Sequence, residues 1–536
     1  MALKLFSLLF KGLTWLVRAL LRPQFLLVFL VGAGGVILLT QISSSVALTV
    51  LVGVAVLFGL RRLSQNKSYH QTMRESDRMR RGDKFMDKFK SKAISHGSAE
   101  FARTPELKKI GAMGTDKGYI VGKFDGKFIR FNKPGHLITF APTRSGKGVG
   151  HVIPNLLSHP GSVVVNDIKG ENYAVTHRTR EKFGKVYAFA PFGEHSNCYN
   201  PIDFLRTGTP YELDDVRLMA DMMIEVPPNA SDPFWSMEAK NLVTALILHV
   251  ATARPPVLRN LGEVRYLLMQ SQEDFNFTVK EMVKSKNEHV RRMGASISAT
   301  EAKVLASVLS TAKSQTAVWD SPRLTAITGR SDFKLEDIKT DVVSLYIIIP
   351  PEYLDNYKPV MRIMVGLTLA AMTRNQKKPK ENVLFLVDEF PALGYMELIE
   401  TGIGYLAGYG VNLWTFIQDL SQLKALYKKW ETFISNCAVR VAFGTNDFDT
   451  AKVLSDMLGN TTIRVKSTGS SGGMMSPTSS ANYSETARPL MTPDEIMRIP
   501  FDSQLIFFQG TKPVIAEKVM YFKDPAFKGK FDSWNE

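Results

Sequence analysis

The stretch 141-APTRSGKGVG-150 decides how the rest of the chain is read, and it follows the apolar run 137-LITF-140. A phosphate-binding loop has the form G-x-x-x-x-G-K-[ST] between a strand and a helix. Here Ala141 stands at the first glycine position and Gly148 at the hydroxyl position. Gly146 and Lys147 retain the end of the motif where backbone N–H groups and a lysine meet phosphate oxygens. Ala141, Pro142, Thr143, Arg144, Ser145, Gly146, Lys147, Gly148 and Val149 are therefore the candidate cradle. Gly148 removes the hydroxyl that ordinarily ligates Mg2+. Water can take that position; Thr143 and Ser145 carry hydroxyls, but at the wrong offset. From this loop alone, a nucleotide site and a glycine-rich turn both stay open.

A second stretch, 383-VLFLVDEF-390, shifts the balance. An apolar strand there ends in two adjacent carboxylates, which are costly to bury unless they serve a cation or a proton transfer. Asp388 is the candidate Mg2+ holder, directly or through water. Glu389 is the candidate for orienting and deprotonating an attacking water. The competing reading is an ordinary strand exit into solvent. Gln418 follows the run 411-VNLWTFI-417 and is placed to sense a γ-phosphate or position water. A lone glutamine at a strand end is also a common structural feature. Arg440 and Arg488 are candidates for an arginine that reaches a neighbouring subunit's γ-phosphate, although a structural role weighs more for each.

Around these segments the chain alternates. Short apolar runs at 137–140, 162–167, 186–190, 342–350, 383–388, 411–417, 439–444 and 504–508 read as strands. Their nearly continuous apolarity suits a parallel sheet covered on both faces. The expected class is α/β, with a P-loop nucleotide-binding domain. Two β-prone runs flank Asp125-Gly126 within 119–131, a hairpin signal. Between Pro201 and Asp341 the strand signal fades and helical periodicity takes over, after which the α/β pattern resumes. That order predicts an all-helical insertion. The stretch 466-KSTGSSGGMMSPTSSANYSET-486 is low in complexity and is expected to be a flexible loop.

The chain has 536 residues, enough for two or three domains, and Lys plus Arg exceed Asp plus Glu by 67 to 51. A net charge of +16 favours an anionic partner, whether nucleic acid or a membrane surface. Two distant cysteines, Cys198 and Cys437, argue against a disulfide scaffold, and no H-E-x-x-H pair suggests zinc. Residues 24–40 and 43–60 carry no charge, and each is about long enough to cross a ~30 Å hydrocarbon layer. Lys4, Lys11, Arg18 and Arg22 precede the pair; Arg61 and Arg62 follow it. By the positive-inside rule both ends are cytoplasmic; a cleaved signal peptide is the weaker alternative. Lys4, Lys11 and Arg18 share one helical face, as an interfacial helix would require. Residues 61 to 92 hold eleven Lys or Arg against four acids. Lipid contact explains that cluster better than DNA contact.

Several segments together resemble the coupling-protein ATPases of bacterial type IV secretion and conjugation. They are the membrane hairpin, 96-HGSAEFA-102, 141-APTRSGKGVGHVIPNLL-157, 163-VVVNDIKGENY-173, 233-PFWSMEAKNL-242, 385-FLVDEFPALG-394, 417-IQDLSQL-423 and 488-RPLMTPDEI-496. A loop ending in Lys-Gly is a known form in one branch of that family. The resemblance implies a RecA-type motor at the bacterial inner membrane, a hexamer with ATP and Mg2+ bound between subunits. It implies non-specific DNA binding, relaxase or effector cargo, and contact with inner-membrane channel components. The implied organisation is an interfacial helix and transmembrane anchor at 1–62 and a basic linker at 63–118. The motor comprises 119–204 and 326–536, and the all-α substrate-recognition domain comprises 205–325. Asp167, Lys169 and Glu171 are implied to lie at the nucleotide end of the sheet. One departure is the very short connection between the two spans, where many relatives carry a periplasmic loop. A nucleotide-switched docking receptor and a DNA-segregation pump are the alternatives.

Overall fold

The computed structural model describes residues 94–226, 232–471 and 478–534. The predicted anchor at 1–62 and most of the basic linker lie outside the described residues. Among the described residues, no helix is long and apolar enough to cross a membrane.

Eleven strands form one mixed sheet. Seven neighbours are parallel, in the order β9 (Cys437–Ala442), β3 (His136–Phe140), β8 (Val411–Ile417), β7 (Val383–Val387), β4 (Val163–Asp167), β6 (Val343–Ile348) and β5 (Lys185–Phe189). In β3, β4, β7 and β8 every residue is buried, as expected for strands covered on both faces. The sheet then turns antiparallel through β12 (Ser503–Phe508), β13 (Val514–Glu517), β1 (Tyr119–Phe124) and β2 (Lys127–Phe131). The expected parallel sheet is thus a block of seven parallel strands reaching one edge at β5, with an antiparallel flank on the other side. The flank arises because the hairpin of β1 and β2 and the C-terminal hairpin of β12 and β13 return by short turns. Strand β13 has only four residues, too few for a clear pattern.

Among the described residues, the regular elements between β5 and β6 are all helices. They include the helices Glu212–Met223, Phe234–Ala253, Leu261–Met269, Gln272–Val283, Glu288–Ala299 and Ala302–Gln315. Asn260, Ser271 and Asn287 cap three of them through side-chain oxygens that accept from backbone N–H groups. The helices share one hydrophobic core with the sheet. The helix Glu212–Met223 packs on Lys358–Arg374, which covers the sheet. Asp215 pairs with Arg206 and Arg374 there, each at 2.7 Å.

The expected loop at 466–486 is corrected on its flanks, at 466–471 and 478–486; its centre, 472–477, lies outside the described residues. Strands β10 (Asn460–Ser471) and β11 (Thr478–Pro489) pair as a separate two-stranded antiparallel ribbon. Serine and threonine suit an extended pair, and the regular register satisfies the backbone that the composition suggested would be solvated.

Candidate nucleotide-binding site

The phosphate-loop segment leaves β3, and the other site residues leave the strands beside it. Strand β8 lies between β3 and β7. Phe140 pairs with Ile417, so β3 and β8 end level, while Val387 pairs with Thr415, so β7 ends two residues earlier at the same edge of the sheet. Ala141, Gln418 and Asp388 are the next residues after these strands. Ligands of open α/β sheets bind outside such ends.

The loop runs from Ala141, whose N–H donates to the Ile417 carbonyl at 2.8 Å, to a π-helical turn at Gly148–Val152. That turn continues into the helix Ile153–Leu156. Arg144 has φ +61° and Gly146 has φ +89°. These positive φ values curve the loop tightly, and only glycine adopts them without strain. The Ser145 N–H donates back to the Pro142 carbonyl at 3.1 Å, closing the turn. Ala141, at the usual glycine position, is fully buried and packs in the hydrophobic cluster on one face of the sheet. A Cβ added at Gly148 would meet nothing within 4 Å.

Lys147 extends from this loop to the two acids after β7. Its Nζ lies 2.9 Å from Asp388 Oδ1 and 2.8 Å from Glu389 Oε2. Gln418 Nε2 donates to the other Glu389 oxygen at 2.8 Å. Glu389 itself is left-handed, at φ 59° and ψ 57°, which turns its carboxylate back toward the loop. Burial lowers the Lys147 pKa, but Asp388 and Glu389 outweigh it, so the ammonium stands above its ordinary value. Burial raises the Asp388 pKa, Lys147 opposes that, and the net shift is upward.

Asp167 ends β4, one strand beyond β7, and is fully buried. Its carboxylate accepts from the Tyr173 N–H at 2.8 Å and from Asn172 Nδ2 at 3.3 Å. It therefore orders the turn into the helix Glu171–Glu181. Burial pushes its pKa up to about 7, with the nearby Asp388 adding to the rise. Neighbouring Asn166 donates to the Asp388 carbonyl at 3.2 Å. Sequence reasoning assigned no role to these groups, because a buried carboxylate that caps a turn has no separate signature.

The two candidate arginines are held elsewhere. Arg440 lies within β9, and its Nε donates to the Ile434 carbonyl at 2.9 Å, before the strand begins. Arg488 pairs with Glu495 at 2.6 Å at the foot of the ribbon. Neither joins the Lys147 cluster within this chain.

Among the described residues there is no group of three or more His, Cys, Asp or Glu side chains arranged for a metal ion. Mg2+ rarely uses an all-protein cage and takes one or two carboxylates with phosphate oxygens and water. One buried carboxylate at Asp388, beside a loop open at Gly148, fits that pattern. Ser145 Oγ, in the loop, and Asn166 Oδ1, near the end of β4, are buried polar atoms without a hydrogen-bond partner.

A loop and lysine after β3 and an acid pair after β7, with β8 between those parallel strands, define a P-loop-type nucleotide-binding protein. Residues 84–533 match the family described as type IV secretory system conjugative DNA transfer, and the chain belongs to that family. The chain is 32% identical over 500 residues to the conjugal transfer protein TraG of Escherichia coli, covering 82% of this chain and 78% of that one. It is 30% identical over 454 residues to protein VirD4 of Agrobacterium fabrum, covering 82% and 67%. Its fold is similar to the conjugative coupling protein TrwB in complex with ADP and Mg2+. The TM-score is 0.62 at 15% identity, over 82% of this chain and 98% of TrwB. Another TrwB structure, with a non-hydrolysable ATP analogue, has a TM-score of 0.60 at 16% identity and covers 80% and 97%.

Proposed function

We propose that this chain is a membrane-anchored, ATP-driven coupling protein that recruits relaxase–DNA or effector proteins to a type IV secretion channel and powers their transfer. The observation that carries this reading is the meeting of Lys147 with Asp388 at 2.9 Å and Glu389 at 2.8 Å, beyond the carboxyl ends of β3 and β7. The family and the nucleotide-bound TrwB relatives support it.

In this mechanism the amides around Gly146 and the N-terminus of the following helix receive the phosphates. Lys147 exchanges its carboxylate partners for the β- and γ-phosphate oxygens. Asp388 would hold Mg2+, which supplies Lewis-acid stabilisation of the charge that develops on the transferred group. Release from Lys147 leaves Glu389 free to take a proton from the attacking water. Gln418 keeps that carboxylate in place and reports the state of the γ-phosphate. Each subunit's site is completed by a neighbour in a hexamer, to which Arg440 or Arg488 contributes. The all-α segment 205–325 selects cargo. Basic residues lining the ring track DNA phosphates without reading bases. The hairpin at 1–62 anchors the motor in the bacterial inner membrane, with the motor in the cytoplasm and lipid and channel proteins as its neighbours.

Turnover of Mg-ATP by the purified protein tests this reading. Lys147→Ala and Glu389→Gln should each reduce hydrolysis at least a hundredfold, as loss of a central charge or base does. Full turnover in both variants would sink it. A transfer assay separates motor from docking receptor. Glu389→Gln, which retains nucleotide, should block delivery if hydrolysis drives transfer and permit it if nucleotide only switches docking.

A further inference from the structure

Against the phosphate loop lies a second lysine, Lys518, which the mechanism above leaves without a part. It follows β13, and its backbone N–H donates to the Asp502 carbonyl at 2.8 Å. The side chain is only 7% exposed. Its Nζ donates to the Ser145 carbonyl at 3.0 Å, inside the loop. The ammonium lies 3.7 Å from the centre of the Phe443 ring and 4.9 Å from that of Phe501. Phe443 is fixed by its own N–H, which donates to the Phe140 carbonyl at 2.9 Å. Phe501 is 60% exposed, yet its ring edge comes within 3.6 Å of where a Cβ on Gly146 would sit.

Peptide planarity gives this contact a consequence. In a trans peptide the C=O of one residue and the N–H of the next point in opposite directions. Holding the Ser145 carbonyl toward Lys518 therefore turns the Gly146 N–H away from it. Nothing in the glycine itself enforces that choice, since glycine populates both signs of φ and its peptide flips at little cost. A cation bound to the carbonyl selects one orientation.

We propose that Lys518, clamped between Phe443 and Phe501, is a positioning residue that holds the Ser145–Gly146 peptide with its N–H turned to the nucleotide phosphates. This rests on the nucleotide-binding reading above and adds to it a role for the C-terminal segment. Lys518 does not touch phosphate; it sets the direction of a donor that does. Asp502, from the turn before β12, and His151, from the loop's own helix, are the titratable groups facing it. Burial lowers the Lys518 pKa to about 7, with Asp502 opposing. An interior cation carries this cost, which an unbranched apolar chain of similar length would avoid.

Binding of a fluorescent ADP to the purified full-length protein tests the proposal, with Lys147→Ala as the control for the site. Lys518→Met should weaken the affinity about tenfold, as loss of a charged hydrogen bond does. Its nucleotide-free melting temperature should not fall. Lys518→Arg should recover most of the affinity, and Phe501→Leu should lose a smaller part. Wild-type affinity in Lys518→Met overturns the proposal, as does a loss matched by an equal fall in nucleotide-free stability. If Lys518→Met does not fold, Phe501→Leu decides, because its ring is mostly exposed; unchanged affinity there overturns the proposal. A wild-type protein that binds no ADP is a different failure, that of the nucleotide reading itself.

Discussion

At Gly148 the loop lacks the hydroxyl that ordinarily ligates Mg2+. A Cβ there meets no neighbour, so the missing hydroxyl is not imposed by packing. Gly148→Thr should therefore be accepted and should lower, by a few-fold, the Mg2+ concentration needed for half-maximal ADP binding. An unchanged Mg2+ titration would show that the hydroxyl does not reach the ion. Glu389 is the opposite case, a non-glycine residue held at positive φ. That conformation costs roughly 1 kcal/mol and is kept where the surroundings over-determine it. Here Lys147 and Gln418 supply that restraint. Lys518 makes a pH-dependent statement. It is protonated in the unfolded chain up to about pH 10.4 but in the fold only up to about 7. Between those values the unfolded state binds more protons, so the group favours folding increasingly as pH rises, and its cost is complete below pH 7. Raising the pH from about 7 to 9 should therefore raise the wild-type melting temperature relative to Lys518→Met. A constant difference across that window would contradict the burial of a charged amine.

Among the elements, the ribbon of β10 and β11 is the one that composition misread. Its foot is stapled by 96-HGSAEFA-102. The His96 N–H donates to Thr462 Oγ1 at 3.0 Å, the Thr462 N–H donates to the Gly97 carbonyl at 3.1 Å, and Ser98 bridges to Thr461. Gly97 has φ +146°, and a Cβ there would lie 2.2 Å from the Asn460 carbonyl oxygen. Gly97→Ala must therefore push the ribbon's first residue away. The expected cost is about 1–3 kcal/mol, seen as a lower melting temperature and faster proteolysis within 460–489. Unaltered cleavage would mean the foot is held by other contacts. The sequence block that carried much of the family resemblance thus has a local structural job. Its glycine is legible only once the partner strand is in place.

For the whole molecule, the issue is how the helical insertion is joined to the sheet. Asp215 is 3% exposed and faces Arg206 and Arg374, the latter stacked 3.4 Å from the Phe204 ring centre. Burial raises the Asp215 pKa, but the two arginines prevail and hold it below the usual carboxylate range. Its contribution is present above about pH 4 and is lost as pH falls through the folded-state value. Asp215→Asn leaves the largely buried Arg374 with only Glu336, at 3.6 Å, as a carboxylate partner, while Arg206 is partly solvated, and should cost about 2 kcal/mol at neutral pH. That penalty should shrink as the pH drops below about 4. A variant that melts like the wild type at neutral pH would show the junction to be unimportant.

The α/β class, the helical insertion, the glycine-lysine loop after a strand and the acid pair at a strand end were all legible in the sequence. Each is a local pattern: buried strands as apolar runs, helices as a period of 3.6, a glycine-lysine turn, two acids at a strand end. The tertiary structure alone decided that β8 lies between β3 and β7, which brings Gln418, Lys147 and Glu389 together although they are distant in the chain. It also decided the antiparallel flank, the ribbon and the placement of Lys518 against Ser145. These follow from strand order and register, which depend on how whole faces pack and leave no periodic mark along the chain.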